Sequence, residues 1–373
     1  MHCRPNYSII SLSILLALTW LGAAWPTARA LAGPTLLFDA GTGRILYAED
    51  MDDQWHPASL TKMMTAYLTF QALKAGKVTL ESPIAYSETA FAQPPSKIGL
   101  PVGSTITIDM ALQALIVKSA NDIAVALSEG IGGSEAQFVE MMNTMARSLG
   151  MSRTAFRNPH GLPASEQVTT ARDLARLASA IGSEYPQYAH YWAQSQMQIA
   201  NIRIVSHNGL FKTLEGMDGM KTGFICDSGY NIVASATRDG TRLMAVVLGE
   251  MSAAERNQRA QQLLEHGYVT SEWKAVLGLK DTISSRPQSG DAKDAASIRT
   301  SVVATECNNR RVARAAAVVR KRAKARNKAA AATKAAEKPA VVSPAQKAAA
   351  APAPGGAVRA AAPAAAPAPA APR

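Results

Sequence analysis

Pro57-Ala58-Ser59-Leu60-Thr61-Lys62-Met63-Met64-Thr65 follows a turn at His56-Pro57 and opens a segment, Ser59–Ala75, with a helical pattern. Leu60, Met63, Met64, Tyr67, Leu68 and Ala72 recur along it at the spacing of one buried helix face. A serine that opens a helix is most often only its N-cap, and a lysine one turn on is most often a solvated side chain. The same spacing has a second reading. Positions i and i+3 share a face, so Lys62 can reach Ser59 Oγ, and the helix start offers backbone donors to a developing negative charge.

Working outward, Leu36–Asp39 and Ile45–Glu49 flank Gly41-Thr42-Gly43-Arg44 and read as a β-hairpin. Helices are predicted over Ile108–Val117, Asn121–Glu129, Glu135–Leu149 and Ala171–Ile181. Strands return at Gly219–Ile225, Tyr230–Ala236 and Leu243–Leu248, the last two joined by Arg238-Asp239-Gly240-Thr241, before a last helix over Ala253–His266. Strands at both ends with helices between predict an α/β (α+β) domain: one antiparallel sheet completed by both ends, flanked by helices, with a mostly helical subdomain inserted.

Both ends of the chain differ from this middle. Arg4, the apolar run Ile9–Trp25 and the triplet Ala28-Arg29-Ala30 have the layout of a secretory signal peptide over residues 1–30, which predicts a periplasmic or envelope protein. Residues 31–277 form the expected catalytic domain. Over residues 278–373 Ala, Pro, Lys and Arg dominate without an aromatic residue, so a disordered low-complexity tail is expected. The charge divides the same way. From Arg286 onward there are 17 Lys/Arg against 4 Asp/Glu, whereas residues 1–285 hold 22 basic and 24 acidic residues. The basicity is therefore no nucleic-acid footprint of the folded part, and outside the cytoplasm the tail's partner would be an anionic membrane or cell-wall polymer. Cys3, Cys226 and Cys307 show no metal-site or disulfide-framework spacing, and no HExxH occurs, so neither a metal nor a cofactor is expected. Cys226 reads as a free, semi-buried thiol.

Three motifs occur in order: Ser59-Leu60-Thr61-Lys62, Ser119-Ala120-Asn121 and Lys221-Thr222-Gly223. Alone each is weak, as the decoys Ser271-Glu272-Trp273-Lys274 and Ser206-His207-Asn208 show. Together they resemble the signature of penicillin-binding proteins and class A β-lactamases. With Ser119–Ala124, Asn158-Pro159-His160-Gly161-Leu162 and Lys221–Phe224 running on to Tyr230–Ala236, the chain over about 35–276 resembles the low-molecular-mass penicillin-binding proteins, the serine D-alanyl-D-alanine carboxypeptidases. The resemblance implies a β-lactamase/transpeptidase-like fold.

The residue chemistry agrees with that family. Ser59 is the candidate nucleophile and Lys62 its general base, provided burial and the second cation at Lys221 lower the lysine pKa from ~10.4. The Ser119 hydroxyl can relay the proton to a leaving amine, and the Asn121 amide can hold the substrate backbone. The strand bearing Lys221, Thr222, Gly223 and Phe224 can receive an extended peptide along its edge, with Lys221 and Thr222 facing the terminal carboxylate. The resemblance further implies an oxyanion hole from the N–H groups of Ser59 and Phe224, and a carboxylate-binding arginine at Arg256. His160 is left outside the site, because a histidine in a Pro-His-Gly loop is usually a structural hydrogen-bonder.

The activity so implied is removal of the terminal D-alanine from peptidoglycan stem peptides through an acyl-enzyme on Ser59, with β-lactams as covalent inhibitors. Three rivals stand beside it. A DD-endopeptidase would apply the same chemistry to cross-bridges; it gains because neither the β-rich second domain nor the amphipathic membrane helix of many family carboxypeptidases is legible. A β-lactamase would need the Glu-x-x-Leu-Asn motif, which is absent. A wall-binding scaffold with a vestigial site is opposed by the intact motifs.

Overall fold

A computed structural model describes residues 33–276 and 281–302, with the side chains of 271–276 excluded. All of them belong to the unit Met1–Val312. The expected signal peptide and most of the tail lie outside the described residues.

The hairpin of β1 (Thr35–Asp39) and β2 (Ile45–Glu49) is followed by a 3-10 turn, Ala58–Thr61, that runs into α1 (Lys62–Lys74). The inserted region then holds β3 (Pro83–Ala85), α2 (Glu88–Ala92), β4 (Thr105–Thr107), α3 (Ile108–Gln113), α4 (Asn121–Gly132), α5 (Glu135–Ser148), α6 (Ala171–Glu184), α7 (Ala189–Trp192), β5 (Gln196–Ile199) and β6 (Ile202–Val205). The long strands β7 (Met217–Ile225), β8 (Gly229–Arg238) and β9 (Thr241–Glu250) and the helix α8 (Ala253–Val276) close the domain. The main sheet has five strands in the order β2-β1-β9-β8-β7, each neighbouring pair antiparallel. This is the sheet completed from both ends that the strand pattern predicted; β3 with β4 and β5 with β6 form two further two-stranded sheets.

Alternation along the strands gives the sheet two apolar faces. Leu37, Ile232, Ala234, Leu243, Ala245 and Val247 join Ala260 and Leu264 of α8 in one cluster. Leu36, Phe38, Val233, Met244, Val246 and Leu248 belong to the larger cluster that includes Leu174 and Ala178 of α6 and the apolar residues of α1 and α4. Helix starts follow ordinary capping chemistry: the side chains of Thr107, Ser134 and Thr170 accept from the backbone N–H groups of Met110, Gln137 and Asp173.

The expected boundary at 278 is corrected. Residues 281–302 form a strap bound to the domain, ending in the short helix α9 (Arg299–Val302). The Arg172 guanidinium, fully buried, pairs with Asp52 at 2.6 Å and 2.9 Å and donates to the carbonyls of Ile283, Arg286 and Pro287. Ser289 N–H donates to Asp52 at 3.1 Å, and Ile283, Ile298 and Val302 are buried. Backbone acceptors and three aliphatic anchors hold this segment, so the lack of aromatic residues did not signal disorder here.

Burial pushes the Asp52 carboxyl up, but the hydrogen bonds from Arg172 and Ser289 outweigh it and hold it below the usual range. Replacing Asp52 with Ala strands a buried guanidinium, and we expect a loss of about 3–5 kcal/mol of stability in urea unfolding. A loss under about 1 kcal/mol, the level of an exposed ion pair, would show that the pair does not hold the strap.

Candidate active site

The first motif begins with a strained turn. Ala58 has φ 50°, and Ser59 lies in the 3-10 turn rather than opening the α-helix as the periodicity predicted. The α-helix starts at Lys62, and no side-chain hydrogen bond caps either segment. The Ser59 hydroxyl is thus not engaged in capping. It lies 3.1 Å from Lys62 Nζ.

Lys62 is completely buried. Its ammonium also contacts Asn121 Oδ1 at 2.7 Å and the His160 carbonyl at 2.6 Å. Burial first, and the charge of Lys221 second, push its pKa well below the ordinary lysine value, with Asp122 opposing. A neutral amine has two N–H donors and one lone pair. With the donors held by two carbonyl-type oxygens, the lone pair is left to face the Ser59 hydroxyl. That is the arrangement a general base requires.

Each contact of Lys62 has its own support. Asn121 donates from Nδ2 to the Pro94 carbonyl at 2.9 Å, and its backbone N–H donates to Ser96 O at 2.8 Å. The amide oxygen and one of the two Nδ2 hydrogens are therefore engaged within the protein, so Asn121 supports Lys62 besides the substrate contact expected of it. Next to it, the buried carboxylate of Asp122 accepts from Tyr86 Oη and from the N–H groups of Ile98 and Gly99, fastening the 94–99 loop to the start of α4. The His160 carbonyl is aimed by the turn in which Asn158 Oδ1 accepts from Gly161 N–H at 2.7 Å. Gly161 has φ 87°, and any Cβ there would collide with the carbonyl of Ala58, so this position excludes a side chain. The His160 ring accepts from Leu162 N–H at Nδ1, and burial followed by the nearby Lys62 lowers its pKa to about 3. It is a neutral structural ring, and its contribution to the site is its backbone oxygen.

The second and third motifs converge on the same place. Ser119 is buried in the left-handed conformation, φ 59° and ψ 40°, unusual for a serine and of the kind that gathers at functional sites. β7 passes so close to the nucleophile turn that a Cβ on Gly223 would stand 3.0 Å from Pro57 O and 3.1 Å from Ser59 N. Across the ladder from Gly223, Asn231 donates to the carbonyls of His56 and Pro57 and accepts from Gly249 N–H. This buried asparagine, a polar residue within an apolar strand, ties the turn to the sheet; its interruption of the Tyr230–Ala236 run was the only sequence signal.

Lys221, Thr222 and Arg256 are all buried. Burial first and the charge of Arg256 second bring Lys221 down to about 7, and burial brings Arg256 down to about 10. Arg256 donates to Asn257 Oδ1 at 2.7 Å, and Lys221 to Thr222 O at 3.0 Å. Among the described residues, no carboxylate lies within ion-pair distance of Lys62, Lys221 or Arg256. Buried cations without a counter-charge make a receptor for an anion. Cys226, expected to be a free thiol, is disulfide-bonded, and both other cysteines lie outside the described residues.

The model of the D-alanyl-D-alanine carboxypeptidase family matches residues 23–252. The chain belongs to this family. Among curated carboxypeptidases, DacA of Haemophilus influenzae is 35% identical over 69% of this chain and 67% of its own length, and DacD of Escherichia coli K12 is 38% identical over 63% of each. The chain therefore spans about two thirds of the length of these carboxypeptidases. Among solved structures, penicillin-binding protein 5 of Haemophilus influenzae aligns with TM-score 0.62 and 34% identity, over 65% of this chain and 72% of that one. Penicillin-binding protein D2 of Listeria monocytogenes, solved in an ampicillin-bound form, aligns with TM-score 0.56 and 28% identity over 65% of this chain and 100% of that one. The β-lactamase/transpeptidase-like fold implied by the motifs is that of these carboxypeptidase relatives.

If Lys62 acts as the neutral base, acylation of Ser59 by a penicillin rises as pH climbs through the depressed Lys62 pKa. Loss of the Lys221 charge above about pH 7 weakens attraction of the drug's carboxylate, so acylation efficiency plotted against pH is bell-shaped. Lys62→Arg keeps the charge but cannot release a proton in this range, and its acylation is expected to fall by at least about 100-fold, the scale of general-base catalysis. Stopped-flow acylation measured across pH checks both. Near-normal acylation by Lys62→Arg would place the base elsewhere.

Proposed function

We propose that the protein is a periplasmic or envelope serine D-alanyl-D-alanine carboxypeptidase that trims the terminal D-alanine from peptidoglycan stem peptides. The observation that carries this reading is the fully buried Lys62, its donors engaged by Asn121 and His160 O and its nitrogen 3.1 Å from Ser59 Oγ. Ser59 Oγ attacks the carbonyl carbon of the penultimate D-alanine as Lys62 Nζ takes the hydroxyl proton. The developing oxyanion is received by the N–H groups of Ser59 and Phe224, whose chain segments Gly223 brings into contact. As the tetrahedral centre collapses, a proton passes by way of Ser119 to the departing D-alanine amine. Lys62 then activates water to hydrolyse the Ser59 ester. Lys221, Thr222 and Arg256 hold the terminal carboxylate, which accounts for buried basic groups with no carboxylate in ion-pair distance among the described residues and favours cleavage at a chain end.

Intact-protein mass spectrometry after penicillin treatment is expected to show one covalent adduct, lost in Ser59→Ala. Incubation with pentapeptide and cross-linked muropeptides is expected to release D-alanine from the former. Labelling that survives Ser59→Ala, or cleavage of cross-links alone, would refute the assignment, the second outcome in favour of an endopeptidase.

The basic segment beyond Arg310 is proposed to hold the enzyme to anionic membrane or wall polymers, a reading supported by its charge and by the envelope location expected from residues 1–30. A chain ending at Asn309 keeps the strap, Cys226 and Cys307. It is expected to retain turnover on a soluble D-Ala-D-Ala peptide while losing salt-sensitive retention on sacculi or anionic vesicles. Retention unchanged by truncation or by salt would exclude the tether.

A further inference from the structure

The strap over residues 281–302 touches two chain segments that meet at the site. On one side it binds the residues that lead into the nucleophile turn: Ser289 N–H donates to Asp52, Lys293 N–H to Asp53 Oδ1 at 2.9 Å, and Gln54 N–H to Lys293 O at 2.9 Å. On the other it binds the turn after β7. Asp227 accepts from Ser297 Oγ at 2.6 Å and from Arg299 Nε and Nη2 at 3.0 Å and 2.8 Å, while its carbonyl accepts from Ile298 N–H at 3.0 Å. Asp227 is three residues beyond Phe224, and Gln54 is five residues before Ser59. The two segments also meet directly, through the Trp55 side chain, whose Nε1 donates to Ser228 O at 2.9 Å. Cys226, in the same turn, carries a disulfide.

We propose that the strap is a positioning clamp for the oxyanion hole, with Asp227 and Arg299 as positioning residues that fix the Phe224 end of β7 relative to Ser59. A fork of two parallel hydrogen bonds fixes direction as well as distance. The strap closes a loop between the two chain segments whose backbone N–H groups must converge on one oxygen. It touches neither the reacting atoms nor the carboxylate receptor. Its influence therefore falls on the acylation step and not on initial binding.

This inference rests on the reading of Ser59 as an acylated nucleophile. The test uses the full chain without reductant, so that the Cys226 tie is the same in every variant, with benzylpenicillin as the probe. The acylation rate constant and the dissociation constant of the preceding non-covalent complex are measured separately for wild type, Arg299→Ala, Arg299→Lys and Gln288→Ala, together with thermal midpoints. Gln288 bonds Ser152 at the other end of the strap and is the control. Arg299→Ala is expected to lower the rate constant about tenfold, within what small misplacement costs a reacting site, with the dissociation constant and thermal midpoint held. Arg299→Lys is expected to recover part of the loss, and Gln288→Ala to match wild type. A rate constant unchanged in Arg299→Ala, or a loss that Gln288→Ala shares or that follows the thermal midpoint, overturns the clamp. Failure of wild type itself to acylate overturns the proposed function instead.

Discussion

A fully buried lysine side chain, with no carboxylate within ion-pair distance among the described residues, is the constraint to which the rest of this site answers. Removing a charged ammonium from water is so unfavourable that the group instead gives up its proton. Lys62 meets that condition because Asn121 and the His160 carbonyl satisfy its donors without neutralising a charge. Much of the helical insert maintains those two oxygens: Asp122 holds the loop to which Asn121 is bonded, and Gly161 admits the backbone that aims the carbonyl.

The same absence of counter-charge has a second use further along. Lys221 and Arg256 are brought together by β7 and α8; the Arg256 charge adds to burial in lowering the Lys221 pKa, and the Lys221 charge adds to burial in lowering that of Lys62. Burial first and the Lys221 charge second thus lower the Lys62 pKa, and the same buried basic groups leave a place for an incoming carboxylate. The sheet supplies the rigidity this needs. β7 lies at its edge, in register with β8, and Asn231 on β8 secures the turn that carries Ser59.

Period-2 and helical patterns made the hairpin, the three long strands and most helices legible, because those elements bury one stripe or face. The nucleophile turn was read as regular helix, since Leu60 and Met63 fit the helical period although Ala58 has a positive φ and the turn is 3-10. The hairpin of β5 and β6 escaped notice because much of it is exposed and it has no clean apolar alternation. The strap was misread for a related reason: its order comes from a single buried guanidinium more than a hundred residues away, and no local composition records such a partner. The motifs named the reacting groups. They did not show that Asn121 serves Lys62, or that a histidine contributes through its carbonyl.

The central claim is that Lys62, its pKa held well below the ordinary lysine value, is the base that faces Ser59. NMR titration of the protein carrying 13C at lysine Cε reads this directly, with Lys62→Arg assigning the resonance. The account predicts a Lys62 signal that titrates well below ~10.4 and moves upward when Lys221 is replaced by Ala, since one of its two depressing influences is then gone. A Lys62 that titrates at the ordinary lysine value, or one indifferent to Lys221, would contradict it.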